Sequence, residues 1–187
     1  MSKRIFDFML ALVLIVALSI PMLVVAALIK LVSRGPALFW TDRVGAHNII
    51  FKMAKFRTMK LNTPQVATHL MEHPENYLIP CAAFLRKYSF DELPQLFNIL
   101  KGEMSFIGPR PALFNQDDLV TLRTQKNIHV LLPGVTGWAQ VNGRDDLAIP
   151  LKVAFDEYYL KNKGFALDLK IFFMTLIKVM KREGVSH

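Results

Sequence analysis

The apolar pattern divides the chain into a long uncharged run, a middle stretch of short alternating segments, and a terminal segment with helical spacing. Residues 8–29 read FMLALVLIVALSIPMLVVAALI and carry no charge. At 1.5 Å per helical residue such a run reaches roughly 33 Å, enough to span a hydrocarbon core. Pro21 interrupts it. Proline lacks the amide that closes a helical turn and its ring clashes with the carbonyl four residues back, that of Ala17, so the pattern predicts a bent helix. Ser19 is placed to bond a carbonyl freed by the bend. Lys3 and Arg4 precede the run, and Lys30 and Arg34 follow it. Basic flanks favour the cytoplasmic side, so both ends pull the same way, and a helix that dips into one leaflet and returns satisfies them. A full crossing satisfies the length alone, and a cleaved signal peptide is shorter than this run.

After Gly35-Pro36, the stretches ALFWTDRV and IIFKMAKF flank the turn-like GAHN, which predicts a two-stranded hairpin. Residues 62–79 are polar and proline-punctuated, the pattern of a surface loop or short helix. Their His69 and His73 read as solvated loop residues, since no HExxH pattern joins them. From Asp168 to Glu183 the sequence DLKIFFMTLIKVMKRE predicts a basic amphipathic helix, suited equally to core packing and to a headgroup interface. The absence of repeats, low-complexity stretches and linker composition in residues 35–187 predicts one compact unit there.

A hydrophobic fraction of 52% over 187 residues is high for a wholly soluble domain and adds to the membrane reading. The formal charge of +8 lies mostly after the first thirty residues, so the polar part faces anions such as lipid headgroups or phosphorylated substrates. No zinc spacing, RNP-type motif or long basic arm accompanies that charge, which argues against nucleic acid. Cys81 stands alone, which excludes an internal disulfide.

Candidate chemistry concentrates in residues 85–111, LRKYSFDELPQLFNILKGEMSFIGPRP. Ser89 followed by Glu92 fits a capping box that starts a helix with Asp91 in its first turn. One reading ends there, with the acidic pair as a helix cap. The other uses the same geometry: helix-end amides hold Asp91 ionised, and a carboxylate so placed attacks phosphorus, splitting one transfer into two displacements through an aspartyl phosphate. Two adjacent anions meeting a diphosphate need a hard divalent cation, most simply Mg²⁺, and arginine forks for the remaining oxygens. Arg57, Arg86, Arg110 in GPRP and Arg144 in NGR are the candidates; Trp138 reads as a core aromatic ahead of a stacking surface.

Together these segments resemble the bacterial sugar transferase family, the small phosphoglycosyl transferases. The resemblance runs through Lys3-Arg4-Ile5-Phe6-Asp7, Gly35-Pro36, Arg43-Val44-Gly45 and Lys55-Phe56-Arg57-Thr58-Met59. It continues in Asp91-Glu92-Leu93-Pro94-Gln95-Leu96, Met104-Ser105-Phe106-Ile107-Gly108-Pro109-Arg110-Pro111, residues 133–144 (PGVTGWAQVNGR), Asp156, Tyr158-Tyr159 and Asp168-Leu169-Lys170-Ile171. It implies an α+β fold in which residues 1–34 form a re-entrant membrane helix broken at Ser19 and Pro21. That helix would pack on a mostly helical catalytic domain, residues 35–187, with a short β-hairpin and interfacial amphipathic helices. The implied reaction is a Mg²⁺-dependent ping-pong transfer of a sugar 1-phosphate from a UDP-sugar to undecaprenyl phosphate. Its active site would lie on the cytoplasmic face of the bacterial inner membrane, against the phospholipid bilayer.

By matching position, Asp91 is the nucleophile and a Mg²⁺ ligand, with Glu92 its partner. Lys55, Arg86, Arg110 and Arg144 match phosphate-facing positions, and Gln140 and Asp156 further positions of the active region. The short length and the ending KVMKREGVS are similar to the stand-alone enzymes that transfer phospho-N,N′-diacetylbacillosamine in protein glycosylation. The sequence departs from the family pattern in three places: Ile20 separates Ser19 from Pro21, His47-Asn48 occupy a turn where glycine is frequent, and Tyr88 replaces a small hydroxyl residue.

Overall fold

The computed structural model describes residues 2–63, 73–143 and 147–181. The apolar run forms two helices, α1 (Ser2–Ala17) and α2 (Ser19–Val32), bent by 61° at the break between them. Pro21 accounts for the break, because it offers no amide to the Ala17 carbonyl and crowds it. The Ser19 hydroxyl donates to the Val16 carbonyl at 2.8 Å, so the intervening Ile20 does not cost the serine its role at the break. No single helix among the described residues is long and apolar enough to cross a membrane, whereas the two helices of this bent pair together have the length and apolar composition of one span.

Both ends of the pair are fastened to the rest of the chain. Near the start, Lys3 binds Asp168 at 2.7 Å and Asp7 accepts from the Ser105 hydroxyl at 2.8 Å. Arg4 donates to the Ile99 and Leu100 carbonyls, near the end of α4 (Gln95–Lys101), where helical carbonyls lack partners of their own. At the far end, Arg57 donates to the carbonyls of Ser33 at 3.1 Å and Arg34 at 2.8 Å. Between these ties, α1 packs through Ala11 and Leu14 against Met53, Leu96, Ile99 and Met104. In α2, Val25 and Ile29 pack against Phe56, Ile79, Ala82 and Leu85. The outward face stays apolar: Val16, Ile20 and Leu23 are 68%, 72% and 70% exposed, apolar surface of the kind that marks a contact.

The hairpin expected around GAHN forms, β1 (Leu38–Val44) pairing antiparallel with β2 (Ile50–Phe56) from Leu38↔Phe56 to Val44↔Ile50. In its turn His47 and Asn48 adopt φ of 55° and 60°, the left-handed conformation that explains why glycine suits these places. A third strand, β4 (Ala112–Leu113), joins β1 to give the order β2-β1-β4. A separate parallel pair, β3 (Ser105–Ile107) with β5 (Gly134–Thr136), is too short to carry a periodic signal. Its close approach explains two glycines, because a Cβ on Gly134 would stand 2.1 Å from the Gly108 nitrogen and one on Gly137 2.0 Å from the Gly108 oxygen.

The remaining helices are α3 (Ala82–Lys87), α5 (Asp117–Gln125), α6 (Trp138–Asn142), α7 (Ile149–Asn162) and α8 (Phe165–Lys181). Helix α8 starts three residues before its expected beginning. It buries Ile171 fully while Phe165, Phe173 and Ile177 are exposed, so only part of its apolar surface serves the core. His73 is exposed ahead of a 3₁₀ turn over Pro74–Tyr77; His69 lies outside the described residues. The described residues are thus mixed helix and strand, about 59% helical with small sheets.

Candidate active site

Asp91 and Glu92 sit in a single 3₁₀ turn, Phe90–Glu92, rather than at the start of an α-helix. The expected capping box is not formed: Ser89 has φ 55° and ψ 24°, and its side chain makes no cap bond, whereas a capping serine needs an extended backbone. The α-helix begins only after Pro94. Asp91 is buried, and that removes the cap explanation for it.

Strand β2 supplies the first cation. The Lys55 ammonium donates to Glu92 Oε1 at 2.7 Å and stands 3.9 Å from Asp91 Oδ2. Arg86, on α3, is oriented by a bond from its Nε to Thr58 Oγ1 at 3.1 Å. Burial pushes the Asp91 carboxyl above its usual range, aided by neighbouring Glu92 and opposed by the Lys55 and Arg86 charges. The sequence expectation of a carboxylate held ionised by a helix end is therefore replaced. Desolvation dominates, and side-chain cations offset part of it.

These groups open on a cavity of about 1690 Å³ whose wall includes Lys55, Arg57, Arg86, Asp91, Glu92, Arg110 and Gln140. That volume exceeds an ordinary small-molecule pocket. Arg57 contributes to the wall while its guanidinium is engaged with the carbonyls after α2. Gln140, on α6, is buried, and both polar atoms of its amide lack a hydrogen-bond partner. Asp156 is elsewhere: it is buried on α7 and bound by Arg123 at 2.6 Å. Arg144 lies outside the described residues. Trp138 stacks on Tyr158 with 5.4 Å between ring centroids and packs beside Val141 and Ile171, in line with its core reading.

Sequence reasoning passed over Arg123 and Thr58. Arg123 lies in the polar helix DDLVTLRTQ, where nothing in the pattern marks one arginine as buried. Thr58 stood in a recognised motif, but its partner Arg86 is 28 positions away.

The bacterial sugar transferase family matches residues 1–182 of this sequence. The chain belongs to that family. It is 40% identical over 187 residues to an uncharacterized sugar transferase, EpsL, of Bacillus subtilis, covering 99% of this chain and 90% of that protein. It is 38% identical to an Aeromonas hydrophila UDP-N-acetylgalactosamine-undecaprenyl-phosphate N-acetylgalactosaminephosphotransferase, covering 97% of this chain and 44% of that one. Similarity to an undecaprenyl-phosphate glucose phosphotransferase of Komagataeibacter xylinus is 37%, over 100% of this chain and 36% of the other. The last two are much longer proteins, so in them the sugar transferase unit is a part. Their names also differ in the sugar, which shows that the shared family framework does not fix sugar choice.

For a bacterial sugar transferase, the donor set at the carboxylate pair is informative. Among the described residues no three His, Cys, Asp or Glu side chains converge, so there is no all-protein metal cage. Two adjacent carboxylates are hard oxygen donors, and the Lys55 ammonium bonded to Glu92 already takes part of their charge. Asp91 and Glu92 are therefore the residues that could hold a hard divalent cation here.

Proposed function

We propose that this bacterial sugar transferase moves a sugar 1-phosphate from a UDP-sugar to undecaprenyl phosphate through a covalent intermediate on Asp91. The observation that carries this reading is the buried Asp91 carboxyl, raised by desolvation and faced by Lys55 and Arg86, at the wall of a cavity of about 1690 Å³.

In the first displacement an Asp91 oxygen attacks the β-phosphorus, the bond from that phosphorus to the α-phosphate bridging oxygen breaks, and UMP leaves. In the second, a phosphate oxygen of the polyprenyl phosphate attacks the same phosphorus and breaks its bond to Asp91. Undecaprenyl-diphosphate-sugar forms and the carboxylate returns. One nucleophile thereby serves two bulky substrates in turn. Lys55, anchored by Glu92, and Arg86 face the transferring phosphoryl group, where fixed cations stabilise spread negative charge. Arg110, Arg144 and Gln140 complete donor binding. Asp91, assisted by Glu92, would hold Mg²⁺, which supplies charge neutralisation to the diphosphate when bound.

The bent pair α1–α2 is read as re-entrant, with the active site at the cytoplasmic face of the inner membrane. Support comes from Lys3, Arg4 and Asp7 at one end and the Arg57-bound carbonyls at the other, all tied to the same body. The apolar outer face of the pair and the exposed aromatics of α8 then meet lipid. The reading is tested by mixing purified protein, undecaprenyl phosphate and Mg²⁺ with a panel of UDP-sugars. UMP release with one of them, dependent on Mg²⁺, is expected, and silence across the panel overturns it. The panel includes UDP-N,N′-diacetylbacillosamine.

A further inference from the structure

Arg123 on α5 and Asp156 on α7 form a buried ion pair outside the wall of the cavity. Two guanidinium nitrogens of Arg123 meet the same carboxylate oxygen, Nε at 3.0 Å and Nη2 at 2.6 Å. Burying two charges costs solvation that their attraction only partly returns, and a well-packed apolar pair often serves stability as well or better. The third nitrogen shows what else this pair does: Nη1 donates to the Arg110 carbonyl at 2.8 Å.

Arg110 lies between two prolines, which fix their own φ but offer no amides. The turn is held by its carbonyls instead. Pro109 O accepts from the Gly134 amide at 2.9 Å, Arg110 O from Arg123, and Pro111 O from Arg43 Nη1 at 3.3 Å. Three consecutive carbonyls are thus gripped from β5, α5 and β1. The direction in which Arg110 enters the cavity follows from those grips, and Arg123 holds the central one.

We infer that Arg123 and Asp156 are a positioning pair for Arg110: Asp156 fixes the guanidinium plane of Arg123, and Arg123 fixes the backbone from which Arg110 meets a phosphate of the donor. This rests on the nucleotide-sugar reading above. It assigns Asp156 a role one step removed from substrate, and it gives Arg123 a function that no motif announced. A lysine cannot replace Arg123, since a single ammonium cannot fill a fork and reach the carbonyl together.

The test uses the full chain in detergent or nanodiscs. Arg123→Met/Asp156→Leu removes the pair without stranding a charge, and Arg123→Lys is the conservative companion should the paired variant not fold. In either variant, hydrogen exchange in the peptide covering residues 109–113 should quicken about tenfold, as expected when a local restraint is lost. KM for the UDP-sugar should rise about tenfold with kcat changed less than about threefold, the signature of lost substrate binding. In an Arg110→Ala background the same replacements should add less than about twofold, because their effect passes through that side chain. A full KM effect that persists in Arg110→Ala overturns the proposal, as does a folded variant with unchanged exchange and unchanged KM. If the wild type releases no UMP from any UDP-sugar, the nucleotide-sugar reading has failed, and the exchange measurement separately decides whether the pair grips the turn.

Discussion

The Lys55 ammonium is bonded to Glu92 at 2.7 Å, while Asp91 Oδ2 lies 3.9 Å from it. One cation therefore relieves the repulsion between two adjacent carboxylates, and it is anchored on Glu92, the carboxylate that does not attack in the proposed reaction. In that reaction Asp91 keeps an oxygen lone pair for phosphorus.

That arrangement fixes the expected effect of losing Lys55. Lys55→Met should lower kcat by about 10²–10³, the usual loss when one fixed charge-stabilising donor is removed. It should also move the acidic limb of the pH–activity curve. Burial already raises Asp91 and Lys55 opposes the rise, so without Lys55 the carboxylate forms only at still higher pH and the limb moves up. UMP release measured across pH at one fixed Mg²⁺ concentration checks both; a limb that stays in place or moves down contradicts the assigned role.

Asp91 should carry a stability cost. A carboxyl whose folded pKa lies above its unfolded one favours the folded state below the unfolded pKa, and that contribution is lost as pH rises through the folded pKa. At neutral pH ionised Asp91 is therefore a burden, and Asp91→Asn should raise Tm by roughly 2–4 °C per kcal/mol relieved. The gain should vanish below about pH 3.9, where an ordinary aspartate is protonated. Thermal unfolding of both proteins across pH reads this out, and a neutral-pH Tm that falls in Asp91→Asn contradicts it.

Gln140 allows a sharper separation of fold from function. Its amide is buried and unpaired, a condition that costs about 1–3 kcal/mol. Gln140→Leu should therefore leave the protein as stable or more so, while transfer falls tenfold or more if a substrate is the missing partner, roughly what one hydrogen bond is worth. Loss of stability with activity retained would make the amide structural.

The bend at Pro21 should set topology. In a Cys81→Ser background, a cysteine at position 2 should be protected from an impermeant thiol reagent in intact spheroplasts. Adding Pro21→Leu restores the helical hydrogen bond, straightens the run and should expose the label. Labelling without the Pro21 change would mean that the helix crosses.

What the sequence disclosed and what it withheld have physical reasons. The bent helix and the hairpin were legible because Pro21 and the turn-like GAHN between two strand-forming stretches act locally. The membership of Lys55, Arg86, Asp91, Glu92 and Arg110 in one cavity was legible only through linked motifs, since 36 positions separate Lys55 from Asp91. The backbone at Ser89 was misread because Ser-x-x-Glu is a local signal and the left-handed conformation there overrides it. The parallel pair β3–β5 escaped notice because three-residue strands have no period. Arg123 was hidden because burial of a charged residue on a polar helix depends on a partner 33 positions away.

The central claim, a covalent intermediate on Asp91, is most directly tested by intact-mass analysis after brief exposure to the active UDP-sugar without polyprenyl phosphate. The wild-type protein should gain the mass of one phospho-sugar, peptide mapping should place it on Asp91, and added undecaprenyl phosphate should discharge it. An adduct that persists in Asp91→Asn, or its absence from a wild-type protein that still releases UMP, would contradict the account.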